Sequence, residues 1–188
     1  MPALVEPHVR FRRSFLEAVD EFIAEGRGGP TTMLGHWQDL FGDRWATEAG
    51  FADFVSYLHA DATPDAPRPS HFVPQSTWWL VEGDAYLGRI SCRHVLTDWL
   101  REYGGHVGYE VRPSSRQRGH ATYMLRAVLP HVHALGIDPV LLTCDDTNLA
   151  SRKVIEAAGA VFEDQREQKL RFWIPTVRSV REAQQPQV

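Results

Sequence analysis

Cysteine and long apolar runs are both scarce in this sequence. Its 188 residues include two cysteines, Cys92 and Cys144, and each lies inside an apolar, strand-like segment. A free thiol there behaves as a small apolar side chain, and two of them do not make the disulfide framework of a small secreted protein. No apolar run reaches the roughly 18 residues of a membrane-spanning helix, and residues 1–8 lack the features of a secretory signal. We therefore expect a soluble, cytoplasmic protein.

An excess of positive charge is absent as well. The formal net charge is −4 at pH 7. Proteins that bind nucleic acids or anionic membranes usually present a basic domain, so neither partner is expected. A hydrophobic content of 43% over 188 residues is sufficient to bury one core. We expect a single domain at residues 1–178 and a frayed tail at residues 179–188, and the composition leaves a homodimer open.

The predicted elements are those of a mixed α/β chain. Apolar residues recur at helical spacing in residues 11–25 and 51–59, whereas residues 31–50 show no clear period. A loop with four prolines at residues 61–75, which is either a lid or a connection, precedes a predicted hairpin at residues 77–94. We expect three aromatic residues of the N-terminal part to pack in the core rather than to line a pocket: Trp37, Trp45 and Phe51.

The most informative stretch is residues 108–121, which reads as a strand, a tight polar turn and the start of a helix. The first N–H groups of a helix have no intrahelical partner and lie at the positive end of its dipole, so they bind phosphate well. Gly119 has no Cβ, which allows a pyrophosphate to approach the main chain. Three arginines add positive charge to this turn: Arg112, Arg116 and Arg118. The alternative interpretation is a glycine-containing turn that binds nothing.

A second motif lies downstream. Residues 140–144 predict a buried strand, Asn148 opens the helix that follows, and Gly159 ends that helix. Asn148 is either an ordinary helix N-cap or a ligand contact, and the sequence supports both interpretations equally.

Together the two motifs resemble the signature of the GNAT (GCN5-related) N-acetyltransferases, and residues 73–175 are similar to a bacterial subgroup of predicted acetyltransferases within that family. The resemblance implies an α/β (α+β) GNAT fold, in which a splayed, mostly antiparallel mixed sheet is flanked by helices. It implies acetyl-CoA (coenzyme A) as cofactor and direct attack of an amine on the thioester. The acceptor would be a primary amine of a small molecule or a free amino group, and the resemblance does not identify it.

The resemblance also assigns residues to the cofactor. The main chain of the fourth strand would face the thioester, the turn would hold the pyrophosphate, and the helix after the fifth strand would contact the pantetheine arm. The cofactor-binding residues expected on this basis are Tyr109, Val111, Arg116, Gln117, Arg118, Gly119, His120, Ala121, Thr122, Asn148 and Ser151.

One position departs from the family pattern. Many GNAT enzymes carry a tyrosine seven residues after the asparagine, where it protonates the leaving thiolate, but this chain has Ile155. Water, Ser151 or another hydroxyl would then supply the proton, or the thiolate would leave unassisted. The remaining alternative is a protein that binds acyl-CoA without catalysis, as a sensor or regulatory module.

Three residues near the predicted thioester position are candidates for catalysis: His106, Glu110 and His94. An amine attacks only as the free base, and a histidine that titrates near pH 6.5 is suited to accept its proton, so His106 is the predicted base. Glu110 would orient the imidazole or bind the substrate ammonium. The alternative for His106 is a hydrogen bond to the main chain that ends the glycine turn. No metal site is expected, because no ligand cluster has a recognisable spacing.

Overall fold

The structure is a computed structural model that describes residues 1–29 and 32–177. The predicted tail at residues 179–188 lies outside this range, and the single-domain assignment stays a prediction. The strands are β1 (Ala3–Val5), β2 (Gln75–Glu82), β3 (Ala85–Arg93), β4 (Val107–Val111), β5 (Val140–Asp145), β6 (Val161–Arg166) and β7 (Lys169–Ile174). The α-helices are α1 (Arg12–Ala24), α2 (Met33–Phe41), α3 (Glu48–Ala60), α4 (His120–Ala134) and α5 (Leu149–Ala158).

The strands form two antiparallel sheets. The first has the order β1-β2-β3-β4 and the second has the order β5-β7-β6. Every pairing among the described residues is antiparallel. The main chain passes from β4 to β5 through α4, and these two strands face each other across the gap between the sheets. The predicted fold class, a splayed and mostly antiparallel sheet flanked by helices, is confirmed.

The first sheet separates two apolar cores. Because side chains alternate along a strand, Ile90 and Cys92 of β3 pack toward α4 and the second sheet, while Arg89 points to the opposite face. On that opposite face, α1, α2 and α3 cover Trp79 and Tyr86. The three aromatic residues expected to pack in the core, Trp37, Trp45 and Phe51, are buried there.

The structure corrects one local prediction and refines another. Residues 31–50 contain α2, which the sequence analysis missed, because Leu34, Trp37 and Phe41 form a short buried stripe that the surrounding aromatic residues obscure. The sequence also predicts a short helix at residues 96–103, and the structure has a helical segment at residues 98–104 that is α-helical at its start and π-helical at Leu100–Gly104. Its wide turn ends at Gly105, which has a φ of 62°.

His106 joins the two sheets at the start of β4. Its main-chain N–H donates to the Leu141 carbonyl (2.8 Å), and its Nδ1 accepts from the Leu141 N–H (2.9 Å). A Cβ on Gly105 would lie 2.7 Å from the same carbonyl, so this close approach requires glycine. Burial, with smaller effects from Arg101 and Arg93, lowers the pKa of His106 to about 4. The imidazole is therefore neutral near pH 7.

The low pKa of His106 predicts a pH-dependent stability. Between about pH 4 and 6.5 the unfolded chain binds a proton that the folded chain does not, so the stability contributed by the neutral imidazole is complete above about pH 6.5 and is lost as the pH falls toward 4. We expect His106→Asn, which keeps an acceptor but does not titrate, to flatten the dependence of the unfolding free energy on pH in that window. Urea denaturation at several pH values measures it. The control is His8→Asn, because the exposed His8 also accepts a main-chain N–H through Nδ1. Parallel curves for wild type and His106→Asn would contradict the prediction.

Within residues 1–29 and 32–177, no helix combines the length and the apolar character needed to cross a membrane. The same residues contain no group of three His, Cys, Asp or Glu side chains placed to hold a metal ion. Cys92 and Cys144 are both buried free thiols, and burial raises the pKa of Cys92 to about 12. This agrees with their predicted role as inert core residues.

Candidate active site

The gap between β4 and β5 is a cleft of about 660 Å³. Its walls come from β4, from the turn before α4, from Thr143 of β5 and from the start of α5. All the predicted cofactor residues except Arg118 line it. The cleft thus brings the two sequence motifs together, although 25 residues lie between Thr122 and Asn148 in the chain.

The turn before α4 presents a row of unused donors. The Tyr123 N–H is the first to enter the helical ladder, donating to the Gly119 carbonyl (3.0 Å). Within the described part of the chain, none of the six main-chain N–H groups of residues 117–122 donates to another protein group. Gly119 has a φ of 79°, and no atom lies within 4 Å of the position its Cβ would take. The turn therefore has both the open space and the donors that a pyrophosphate requires.

The arginines of this turn differ from the prediction. Arg112 donates to Glu21 of α1 (2.8 Å), and both terminal nitrogens of Arg116 donate to Glu25 (2.9 and 2.7 Å). Arg118 donates to the Ser114 carbonyl and does not line the cleft. Two of the three guanidinium groups are thus engaged by carboxylates, one of α1 (Glu21) and one of the residue that follows it (Glu25). They position the turn, and the main-chain donors are the groups left for phosphate.

The main chain of β4 is open toward the cleft at alternate residues. Arg112 N–H donates to the Leu87 carbonyl of β3 (2.8 Å), and successive peptide groups of a strand point in opposite directions. The Val111 N–H therefore faces away from β3 and into the gap. An extended ligand can add to this edge as a further strand would. This geometry supports the predicted roles of Tyr109 and Val111, which remain untested by any bound ligand.

The start of α5 places the Ser151 hydroxyl in the cleft, beside the Tyr109 hydroxyl of β4. Asn148 Oδ1 accepts from the Ser151 N–H (3.0 Å), so Asn148 is a helix N-cap; its predicted contact with the cofactor stays a prediction. Ser151 Oγ lies 2.8 Å from the Tyr109 hydroxyl. Burial raises the pKa of Tyr109 to about 12, although the hydrogen bond to Ser151 opposes the shift. Ile155, which replaces the usual tyrosine, is fully buried in the core.

The geometry does not support His106 as the base. Its Nδ1 is occupied by the Leu141 N–H, its side chain is buried, and a group with a pKa of about 4 is too weak a base to take a proton from an ammonium ion near pH 7. His106 also does not line the cleft, and neither does His94, whose Nε2 contacts Ser76 Oγ (2.9 Å). The interpretation of His106 as a main-chain hydrogen-bonding residue accounts for these contacts.

Glu110 does lie in the cleft, with two arginine partners. Arg89 Nε donates to Oε1 (2.6 Å), and Arg27 Nη2 donates to Oε2 (3.3 Å). Arg89 in turn stacks on Trp37, with its guanidinium carbon 4.7 Å from the ring centroid. Sequence reasoning missed Arg27 and Arg93, which also line the cleft. Arg93-His94 belongs to the stretch that resembles the bacterial subgroup, but no local pattern assigns either arginine to the site, because the fold brings them to β4 from distant segments.

The fold and the cleft define an acetyltransferase of the GNAT class. A family model for the "Acetyltransferase (GNAT) domain" matches residues 27–161, and the chain therefore belongs to this family of acetyl-CoA-dependent enzymes. No curated protein matches the chain in sequence.

Solved structures with the same fold have low sequence identity. Microcin C7 self immunity acetyltransferase MccE, in complex with acetyl-CoA and AMP, is 10% identical with a TM-score of 0.62, over 93% of this chain and 92% of that one. Mycobacterium smegmatis RimJ, in complex with CoA-disulfide, is 18% identical with a TM-score of 0.62, over 93% of this chain and 81% of that one. RimL, described as a ribosomal L7/L12 alpha-N-protein acetyltransferase in complex with coenzyme A, is 14% identical with a TM-score of 0.58, over 92% of each chain.

The cofactor turn can be tested at Gly119. We expect Gly119→Val to weaken acetyl-CoA binding by more than tenfold, because a branched side chain would occupy the space in front of the free N–H groups. The matched control is Gly136→Val: Gly136 has a φ of 78°, nearly that of Gly119, has open space around it and does not line the cleft. Calorimetry with both variants separates lost binding from backbone strain. Equal acetyl-CoA affinity in the two folded variants would contradict the assignment of the turn.

Proposed function

We propose that the protein transfers the acetyl group of acetyl-CoA to a primary amine of a small molecule or to a free amino group. The observation that carries the proposal is the row of six unused N–H groups at residues 117–122, which opens onto the free edge of β4. Binding of the pyrophosphate at this row and of the pantetheine arm along β4 fits both features. The solved acetyl-CoA and coenzyme A complexes of the same fold support this choice of cofactor.

The acetyl group of acetyl-CoA is carried as a thioester, so transfer forms a C–N bond, breaks the C–S bond and leaves the electron pair on sulfur. The residues of this chain contribute in three ways. The Val111 N–H is proposed to donate to the thioester oxygen, where negative charge develops. Glu110 is proposed to hold the acceptor ammonium and to pass its proton to water. Each carboxylate oxygen has two lone pairs, so the contacts with Arg89 and Arg27 leave room for this hydrogen bond.

The Tyr109 and Ser151 hydroxyl groups replace the missing tyrosine in this proposal. An ordinary thiol titrates near pH 8.5, about three and a half units below Tyr109, so complete proton transfer from the phenol to the thiolate is uphill. The linked hydroxyl pair is instead suited to donate a hydrogen bond to the leaving sulfur and so to stabilise its charge. Ile155 is then compatible with catalysis.

The rival function is a module that binds acyl-CoA without catalysis. The absent tyrosine favours it, and the Tyr109–Ser151 pair favours an enzyme. A thiol assay of coenzyme A release, run with acetyl-CoA and a panel of primary amines, separates the two. We expect release that depends on both acetyl-CoA and one class of amine. Tight acetyl-CoA binding without release for any amine in the panel would favour the binding module.

The hydroxyl pair makes a specific kinetic prediction. At saturating acetyl-CoA we expect Tyr109→Phe and Ser151→Ala each to lower kcat by about 10- to 100-fold, the range for loss of a hydrogen bond to a charged group. Because the two hydroxyl groups act as one linked donor, the double variant should lose no more than the worse single variant. Steady-state rates of the three variants test this. Multiplicative losses in the double variant would show that the two groups act independently.

A further inference from the structure

Arg93 carries a partly buried charge that no carboxylate of the described residues balances. Its Nη1 donates to the carbonyl oxygens of Gly104 and Gly105 (3.1 Å each). No Asp or Glu oxygen among residues 1–29 and 32–177 lies within 4.0 Å of it. Burial, together with the nearby Arg89, lowers the pKa of this guanidinium. A guanidinium that is partly withdrawn from water and has no anionic partner points to an anion supplied by a ligand.

Four other arginines with largely buried side chains each have a carboxylate partner. These pairs are Arg89 with Glu110 (2.6 Å), Arg171 with Glu163 (2.8 Å), Arg112 with Glu21 (2.8 Å) and Arg68 with Asp61 (3.4 Å). The fold therefore places an acid beside each of these guanidinium groups and none beside Arg93. Arg93 differs from the four in a second respect, because it alone among these five borders two cavities.

The second cavity lies beside the cleft and measures about 880 Å³. Its walls come from α2, from residues 71–75 and from residues 97–100, and Arg93 is the residue that it shares with the cleft. Four of its lining side chains are aromatic: His36, His71, Phe72 and Trp99. The Trp99 side chain is 63% exposed and the His36 and Phe72 rings meet edge to face, with centroids 4.8 Å apart. The lining contains a single carboxylate, that of the exposed Asp98.

Gly108 leaves the space in front of Arg93 open. In the register of β3 and β4, Gly108 pairs with Ser91, so its missing side chain would lie on the same face as Arg93 and Glu110. A Cβ built on Gly108 would lie 4.0 Å from Arg93 Nη2, and no other atom lies within that distance. The free edge of the guanidinium thus faces an unobstructed stretch of β4, two residues before Glu110.

The phosphates of the cofactor are not suitable partners for Arg93. The Arg93 N–H donates to the His106 carbonyl at the start of β4, whereas the free N–H groups of the turn begin at Gln117, beyond its end. The five residues of β4 alone span about 16 Å at the usual rise per residue. The anion that reaches Arg93 must therefore belong to the acceptor, which the second cavity is large enough to hold.

We propose that the second cavity binds the acceptor and that Arg93 holds the acceptor's carboxylate, so that the substrate is a free amino acid with an aromatic or apolar side chain. The carboxylate would pair with Arg93 Nη2, the amine would face Glu110 past Gly108, and the side chain would pack against Phe72 and Trp99. This inference rests on the proposed acetyl transfer, and it specifies the amine that the proposed function leaves open.

Equilibrium binding tests the inference without requiring turnover. The ligands are three amino acids and the amines that lack only their carboxylate: phenylalanine with phenethylamine, leucine with 3-methylbutylamine, and tryptophan with tryptamine. We expect calorimetry on protein saturated with coenzyme A to show that at least one amino acid binds ten- to a hundredfold more tightly than its amine. Equal affinities within all three pairs, or no binding of any amino acid, would overturn the inference.

Two variants connect the preference to Arg93. Arg93→Gln should reduce the affinity ratio between amino acid and amine to about one. Because this change also removes the donors to Gly104 and Gly105, Gly108→Ala provides a second probe that leaves those contacts intact. Its methyl group should weaken amino acid binding at least tenfold while the thermal unfolding midpoint stays within about 2 °C. The control is Gly42→Ala, which adds the same group outside both cavities.

The outcomes separate this inference from the proposed function. If the protein binds amino acids more tightly than amines and Arg93→Gln abolishes this preference, the inference is supported, whether or not coenzyme A is released. Absence of coenzyme A release would contradict only the proposed acetyl transfer. Coenzyme A release that is as fast with the decarboxylated amines as with the amino acids would support acetyl transfer and overturn the inference. A preference that survives in Arg93→Gln would overturn the role of Arg93.

Discussion

The cleft exists because β4 and β5 are hydrogen-bonded to each other at His106 and Leu141 and are not paired beyond that point. Leu141 N–H donates to the imidazole Nδ1 of His106 instead of to a carbonyl of β4. A side chain thus replaces the next main-chain hydrogen bond between the two strands. Gly105 permits this approach because any Cβ would collide with Leu141. Beyond this point β4 pairs only with β3 and β5 only with β7, which leaves one edge of β4 free. His106, which the sequence predicts to take the acceptor's proton, is therefore the residue that shapes the gap. Its imidazole must be neutral for Nδ1 to accept the Leu141 N–H.

A second constraint fixes the turn at the other end of β4. Burial alone would raise the pKa of Glu21, but hydrogen bonds from Ser114 and Arg112 outweigh it and hold the pKa below its usual value. Arg116, which pairs with Glu25, also donates through Nε to the Val111 carbonyl (3.2 Å). Glu21 of α1 and Glu25 at its C-terminal end therefore neutralise Arg112 and Arg116 while they anchor the turn. The first helix of the chain therefore contributes to the proposed cofactor site by positioning the turn.

The sequence was informative where function depends on local main-chain geometry. A strand, a glycine turn and a helix start are consecutive in the chain, and the N-cap of α5 has its own side-chain signature, so both parts of the cleft could be predicted. The role of His106 could not be predicted. Its pKa depends on burial, and its Nδ1 is occupied by the N–H of Leu141, 35 residues away in the chain. The helix α2 was missed although Thr32 caps it, since its buried stripe covers barely two turns.

The arginines show why charge at a site is harder to predict than main-chain geometry. Arg112 and Arg116 lie inside the predicted phosphate motif, yet Glu21 and Glu25, about 90 residues earlier, engage them. Arg93 lies outside the two cofactor motifs and has no acid beside it; Gly104 and Gly105 offer it carbonyl oxygens instead. A guanidinium is available to a ligand only where the fold brings it no carboxylate, and that depends on contacts between distant segments. Specificity for the acceptor is therefore expected to depend on residues that the family motifs do not contain, which is consistent with one fold serving many acceptors.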